Sequence, residues 1–139
     1  MPELICLAML VYYEARSESV RGQVAVAQVA MQRTESPRYP STVCDVVKQG
    51  EYASNGLPIR HKCQFSFWCD GLGEVPRDAR AWRRAKAIAS IVYNGYRIPE
   101  LSGALNYHAA YARRREWMAE LVPVAIYGQH VFYIHGPGK

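Results

Sequence analysis

The sequence predicts an α+β domain, with helices first and a small antiparallel sheet last, on three observations. Apolar residues recur at helical spacing through the first third of the chain and again over 78–93. β-branched and aromatic residues gather in short runs after residue 104. No repeat, low-complexity tract or Gly/Ser linker divides the 139 residues, so 1–139 reads as one domain with enough apolar content for a sizeable core.

Leu4, Leu7, Ala8, Val11 and Ala15 make the first helical stripe. Pro2 suits a position ahead of or inside its first turn, and the helix should end near 16–18. Val24, Ala27 and Met31 continue a second helix over 20–34. Its small residues Gly22, Ala25, Ala27 and Ala30 let a neighbour approach closely. Ser36-Pro37 stops it. A short helix is expected within 40–49, capped by Thr42 with Asp45 three residues on.

Residues 50–77 read as irregular, punctuated by Gly50, Asn55-Gly56, Pro58, Gly71, Gly73 and Pro76. A structureless stretch of that length in a compact domain reads as a functional loop. A third long helix spans 78–93, with Trp82, Ala85, Ala89 and Val92 inward and Asn94-Gly95 closing it. Arg80, Arg83, Arg84 and Lys86 read as its solvated face. Residues 105–109 and 122–127 have strand composition, and 130–134 follows Gly128 as the second arm of a hairpin. A helical turn is expected over 116–121.

The net charge of +5 and the pI of about 9.1 suit a polyanionic partner: nucleic acid, anionic membrane or a phosphate-bearing wall. No apolar run approaches the roughly 18 residues that span a bilayer. The apolar stretch 4–11 lacks the flanks of an export signal.

Of the four cysteines, Cys6 lies in a helical apolar pattern and reads as a buried thiol. A disulfide is expected among Cys44, Cys63 and Cys69, the pairing left open, which implies an oxidising compartment. Zinc on these sulfurs with His61 is disfavoured because no C-x-x-C pair is present, so no metal is expected.

Glu14 falls three residues after Val11 and seven after Leu7, at the edge of the apolar stripe. A carboxyl there loses water, and its pKa should rise. Glycosidic cleavage needs such an acid to protonate the leaving oxygen. The competing reading is a boundary glutamate paired with Arg16 or Arg21. Glu18, one turn on, is a secondary candidate, and its structural alternative is to bond the first amides of the next helix. His108 and His130 lie in strand-like runs, where a histidine is more often structural than catalytic. Ser66 has no G-x-S-x-G setting, which argues against a serine hydrolase.

Four segments, in order, resemble one family: Val11-Tyr-Tyr-Glu-Ala-Arg-Ser-Glu18 with Gly22-Gln-Val-Ala-Val-Ala27, then Cys63-Gln-Phe-Ser-Phe-Trp-Cys-Asp-Gly71, Gly103-Ala-Leu-Asn-Tyr-His-Ala109 and Ile126-Tyr-Gly-Gln-His-Val-Phe-Tyr133. They are similar to the motifs of the SleB-type cell wall hydrolases. Ser17 stands where the first motif usually has glycine.

The resemblance implies a lysozyme-like α+β fold and cleavage of peptidoglycan between N-acetylmuramic acid and N-acetylglucosamine, of the lytic transglycosylase type. It makes Glu14 the catalytic residue. Gln64, Phe65 and Ser66 match the substrate groove, and Tyr107, His108, His130 and Tyr133 match the sheet side of that groove. Rings among Tyr12, Tyr13, Phe65, Phe67, Trp68 and Tyr133 would supply stacking surfaces for sugars.

No cofactor, nucleic-acid partner or stable membrane insertion is expected, and the protein should be a monomer. A phage endolysin fits: made in the host cytoplasm and reaching the wall after membrane breach. The alternatives are a hydrolytic muramidase and, more remotely, a non-catalytic basic module binding wall or nucleic acid.

Overall fold

The computed structural model describes residues 2–73, 75–110 and 118–136. Four helices come first: α1 (Glu3–Ala15), α2 (Val20–Thr34), α3 (Val43–Val47) and α4 (Ala79–Tyr93). An antiparallel hairpin, β1 (Gly50–Tyr52) with β2 (Pro58–Cys63), stands between α3 and α4. A second sheet of β3 (Asn106–Ala109), β4 (Leu121–Tyr127) and β5 (His130–His135) closes the chain in the order β3-β5-β4, all antiparallel. The expected α+β order of helices and then sheet holds.

The core is centred on α1. Leu7, Ala8, Leu10 and Val11 are completely buried, and α2, α3 and α4 all pack on this helix. Each of these leucine and valine side chains contributes about 1.5–3 kcal/mol by leaving water. The small residues Ala25, Ala27 and Ala30 of α2 are likewise fully buried, as close helix packing requires. Tyr12 fixes α4 to this core: its hydroxyl accepts from the backbone N–H groups of Arg77 and Asp78 at 3.2 and 3.0 Å. Asp78 then caps α4 by accepting from the Ala81 N–H.

A polar row on α2 holds the chain entering the sheet. Gln28 exchanges two hydrogen bonds with the backbone of Ile98, and the Gln32 Nε2 donates to the carbonyls of Leu101 and Ala104. Arg33 adds a third anchor, its Nε donating to the Leu105 carbonyl at 2.8 Å. Segment 98–105 is therefore stitched to α2 before β3 begins, and β3 is delivered against the end of α1.

Two expectations are corrected. The stretch 50–77 is not irregular throughout: β1 and β2 pair with Gly50 opposite Cys63, and Ser66–Cys69 forms a 3-10 turn. Gly50 is needed there because a Cβ would meet the Cys63 Cα at 2.8 Å. Cys6 is not a thiol: it is joined to Cys44, which bridges α1 to α3. The expected turn over 116–121 lies partly outside the described residues, and β4 begins at Leu121.

Candidate active site

Glu14 sits in the last turn of α1, half-buried, facing the sheet. The Tyr107 hydroxyl donates to its Oε1 at 2.7 Å. Burial raises the pKa of the carboxyl, while that hydrogen bond and the positive charge of Arg33 pull it back. Burial also pushes the Tyr107 phenol well above its usual range, and the Glu14 charge and hydrogen bond add to this, so Tyr107 stays a donor. The result is a carboxylic acid held in place, shielded from water and able to exchange a proton.

Behind Tyr107 lies His130, edge-on at 5.0 Å between ring centres. Burial lowers its pKa, the Glu18 carboxylate opposes this and His108 reinforces it. Its buried Nδ1 has no hydrogen-bond partner among the described residues.

Glu18 has a different task from the one expected. Ser19 caps α2, its Oγ accepting from the Gly22 N–H at 3.2 Å. The Glu18 Oε1 instead accepts from the Gln129 N–H at 2.9 Å, at the turn between β4 and β5. Gly128 leaves the room: its φ is 55°, and a Cβ there would collide with the Glu18 carboxylate. The loop after α1 is thereby tied to the sheet.

The remaining predicted residues separate into two groups. His108 and Tyr133 lie together on the opposite face of the sheet, the Tyr133 hydroxyl 2.6 Å from the His108 Nε2. The His108 Nδ1 faces the Ala109 carbonyl at 2.7 Å, which can only accept, so Nδ1 carries the proton and Nε2 accepts from Tyr133. Gln64, Phe65 and Ser66 are carried in the six-residue step closed by the Cys63–Cys69 disulfide, one of the pairings left open by the sequence. Gln64 and Ser66 are exposed, but Phe65 is buried beneath Arg33, with 5.3 Å between its ring centre and the guanidinium. The four sulfurs are all consumed in the two disulfides, which leaves no thiolate for a zinc site at His61.

Among the candidate stacking rings, Tyr12, Phe65, Phe67 and Tyr133 are buried, which leaves Tyr13 and Trp68 partly open. Tyr13 stacks on Phe67 with 4.8 Å between centres. A hollow of about 250 Å³ runs beside it, lined by Tyr12, Tyr13, Arg16, Asp70, Leu72 and Arg77 among others.

Arg33 is the part of the site that residue-by-residue reading passed over. It sits four residues after Val29 and seven after Val26, both completely buried, so the helical period does place it inside.

A shielded carboxyl at a helix end, bonded from a small antiparallel sheet, can give and take a proton. The chain belongs to the cell wall hydrolase family, whose model matches residues 17–133 and so begins three residues after Glu14. Two solved structures are similar over most of its length. The catalytic domain of the SleB protein of Bacillus cereus is 26% identical, with a TM-score of 0.69 over 94% of this chain and 88% of that one. The catalytic domain of the germination-specific lytic transglycosylase SleB from Bacillus anthracis is also 26% identical, with a TM-score of 0.71 over 94% and 93%. The spore cortex-lytic enzyme of Bacillus subtilis (strain 168) is 49% identical over 41 residues, which are 30% of this chain and 13% of that protein.

Proposed function

We propose that this protein cuts the glycan strands of peptidoglycan between N-acetylmuramic acid and N-acetylglucosamine, as a lytic transglycosylase in which Glu14 is both acid and base. The observation that carries the reading is the Glu14 carboxyl, shielded from water and bonded by Tyr107 at the α1–β3 junction. One of the similar structures is described as a lytic transglycosylase, which supports the choice of reaction.

In the first step Glu14 protonates the glycosidic oxygen as the C1–O bond breaks and an oxocarbenium-like centre forms on the muramic acid ring. The ionised Glu14 then takes the proton of that sugar's 6-hydroxyl, whose oxygen closes on C1 to give a 1,6-anhydro ring. One carboxyl serves both steps. A hydrolase would need a second carboxylate to activate water or attack C1. Glu18 is the nearest acidic residue in sequence, and its bond to the Gln129 N–H gives it a structural task instead. Exposed Gln64 and Ser66 are suited to bond N-acetyl groups, and Tyr13 beside its hollow to hold a sugar face. Peptidoglycan is then the partner. An endolysin route to the wall, from host cytoplasm through a breached membrane, is part of the same proposal.

Mass spectrometry of digested sacculi tests this directly. Anhydro and hydrolysed muropeptides differ by one water, and the anhydro end is untouched by borohydride. Non-reducing anhydro-muramic ends are expected. Only borohydride-reducible muramic ends would make the protein a muramidase, and reducible glucosamine ends would move the cut to the other glycosidic bond.

A further inference from the structure

Arg33 is a buried cation that the mechanism above does not use. It lies in the last turn of α2 and is 2% exposed. Its guanidinium sits over two rings, 4.7 Å from the centre of Tyr39 and 5.3 Å from that of Phe65. Its Nε is bonded to the Leu105 carbonyl, and its Nη1 has no hydrogen-bond partner among the described residues. Burying a charge with a bond unmade is costly, so a structural filler of this length would be better as methionine or leucine.

The place of the charge gives it a use. Leu105 stands two residues before Tyr107, the donor to Glu14, so the guanidinium anchors the start of the strand that holds the acid. On its other side Phe65 lies between Gln64 and Ser66 in the disulfide-closed segment. Arg33 therefore touches both the entry to β3, the strand that bonds Glu14, and the disulfide-closed segment. It is not ion-paired with the carboxylate: among the described residues the ion pair found is Arg97 with Glu35, at 3.9 Å. In the shielded interior a full charge still acts over longer distances than it would in water.

We propose that Arg33 is a positioning residue for the catalytic acid: wedged between Tyr39 and Phe65 and anchored on Leu105, it is the buried cation that balances the Glu14 carboxylate across the α1–β3 junction. The proposal rests on the reading of Glu14 as the acid. Among the described residues, the groups that act on Glu14 or stand close behind those that do are few. Tyr107 comes from β3, Arg33 from α2, and the His130 ring of β5 stands behind Tyr107; Glu18 follows on the same chain segment, turned to the β4–β5 turn. The 64–66 segment contributes no titratable side chain. Burial favours the neutral acid, and Tyr107 and Arg33 are the two groups that favour the carboxylate.

The sign follows from this balance. Glu14 must be protonated to start the reaction, so kcat/KM falls as pH rises through its ionisation. Removing the cation makes the carboxylate harder to form, so that alkaline limb moves to higher pH.

Arg33→Met, Arg33→Gln and Arg33→Lys separate charge from shape, with Arg33→Gln standing in if Arg33→Met does not fold. Two readouts are taken on each folded variant: the kcat/KM–pH profile, and the carbon-13 titration of the Glu14 carboxyl, assigned by its absence in Glu14→Gln. In the neutral variants both midpoints should move to higher pH, and Arg33→Lys should return both toward wild type. A Glu14 titration unchanged in the neutral variants would overturn the proposal. So would an Arg33→Lys profile displaced as far as theirs, because shape rather than charge would then be at work. If Glu14 is not the acid, its carboxyl titration moves while the kcat/KM limb stays where it was.

Discussion

One face of the three-stranded sheet packs on the helices, and the other packs on the segment around Met118. Tyr107 and Phe132 are partners in the β3–β5 register and share the helix-facing side with His130. Phe132 is completely buried in the main core, and Tyr107 reaches through to Glu14. One residue along, His108, Val131 and Tyr133 turn the other way, and Tyr133 and Val131 join Met118 and Leu121 in a separate small cluster. Side chains alternate along a strand with a period of two, so adjacent residues in one motif are parted by the thickness of the sheet. The helix-facing side carries the donor to Glu14, and the far side carries the small apolar cluster.

Substitutions at matched tyrosines sharpen that contrast. The larger effect is expected for Tyr107→Phe, which removes the donor to Glu14 while keeping the ring. A hydrogen bond to a charged group contributes about 1.5–3 kcal/mol, so kcat should fall roughly tenfold or more. The alkaline limb should also move to higher pH, because the lost bond had favoured the carboxylate. A rate within about twofold of wild type, with an unshifted profile, would place the acid elsewhere.

The smaller effect is expected for Tyr133→Phe on the far face. It removes the bond to the His108 Nε2 and should lower stability by about 1 kcal/mol, read as a fall in Tm, with kcat/KM within about twofold of wild type. A tenfold loss of activity in a protein of unchanged stability would break the comparison and bring the far face into the groove.

The helices were legible because their apolar residues repeat at the helical period, and the same period placed Glu14 at the edge of the buried stripe. The hairpin of β1 and β2 was not legible. Its strands are mostly exposed, and Pro58-Ile-Arg-His-Lys-Cys63 shows no inward-outward alternation, because only the ends of β2 turn inward. The Cys6–Cys44 bond depends on how α3 docks on α1, which no local pattern encodes. Glu18 was read from its neighbours in sequence, yet its partner is Gln129, 111 residues away. Arg33 carries no motif of its own, and only its register with Val26 and Val29 marks it as buried.

Glu14 itself remains the centre of the account. Burial raises its pKa above the unfolded value, so whatever stability it contributes is present at low pH and is lost as pH rises through its folded pKa. Above that point an ionised carboxylate sits in a shielded place. Glu14→Gln keeps the shape and removes both the charge and the proton, so at neutral pH its Tm should equal or exceed that of wild type. Measured by clearing of purified peptidoglycan, its activity should fall by roughly a hundredfold or more, the range general acid catalysis supplies. A folded Glu14→Gln protein that still clears the wall at near wild-type rate would contradict the assignment.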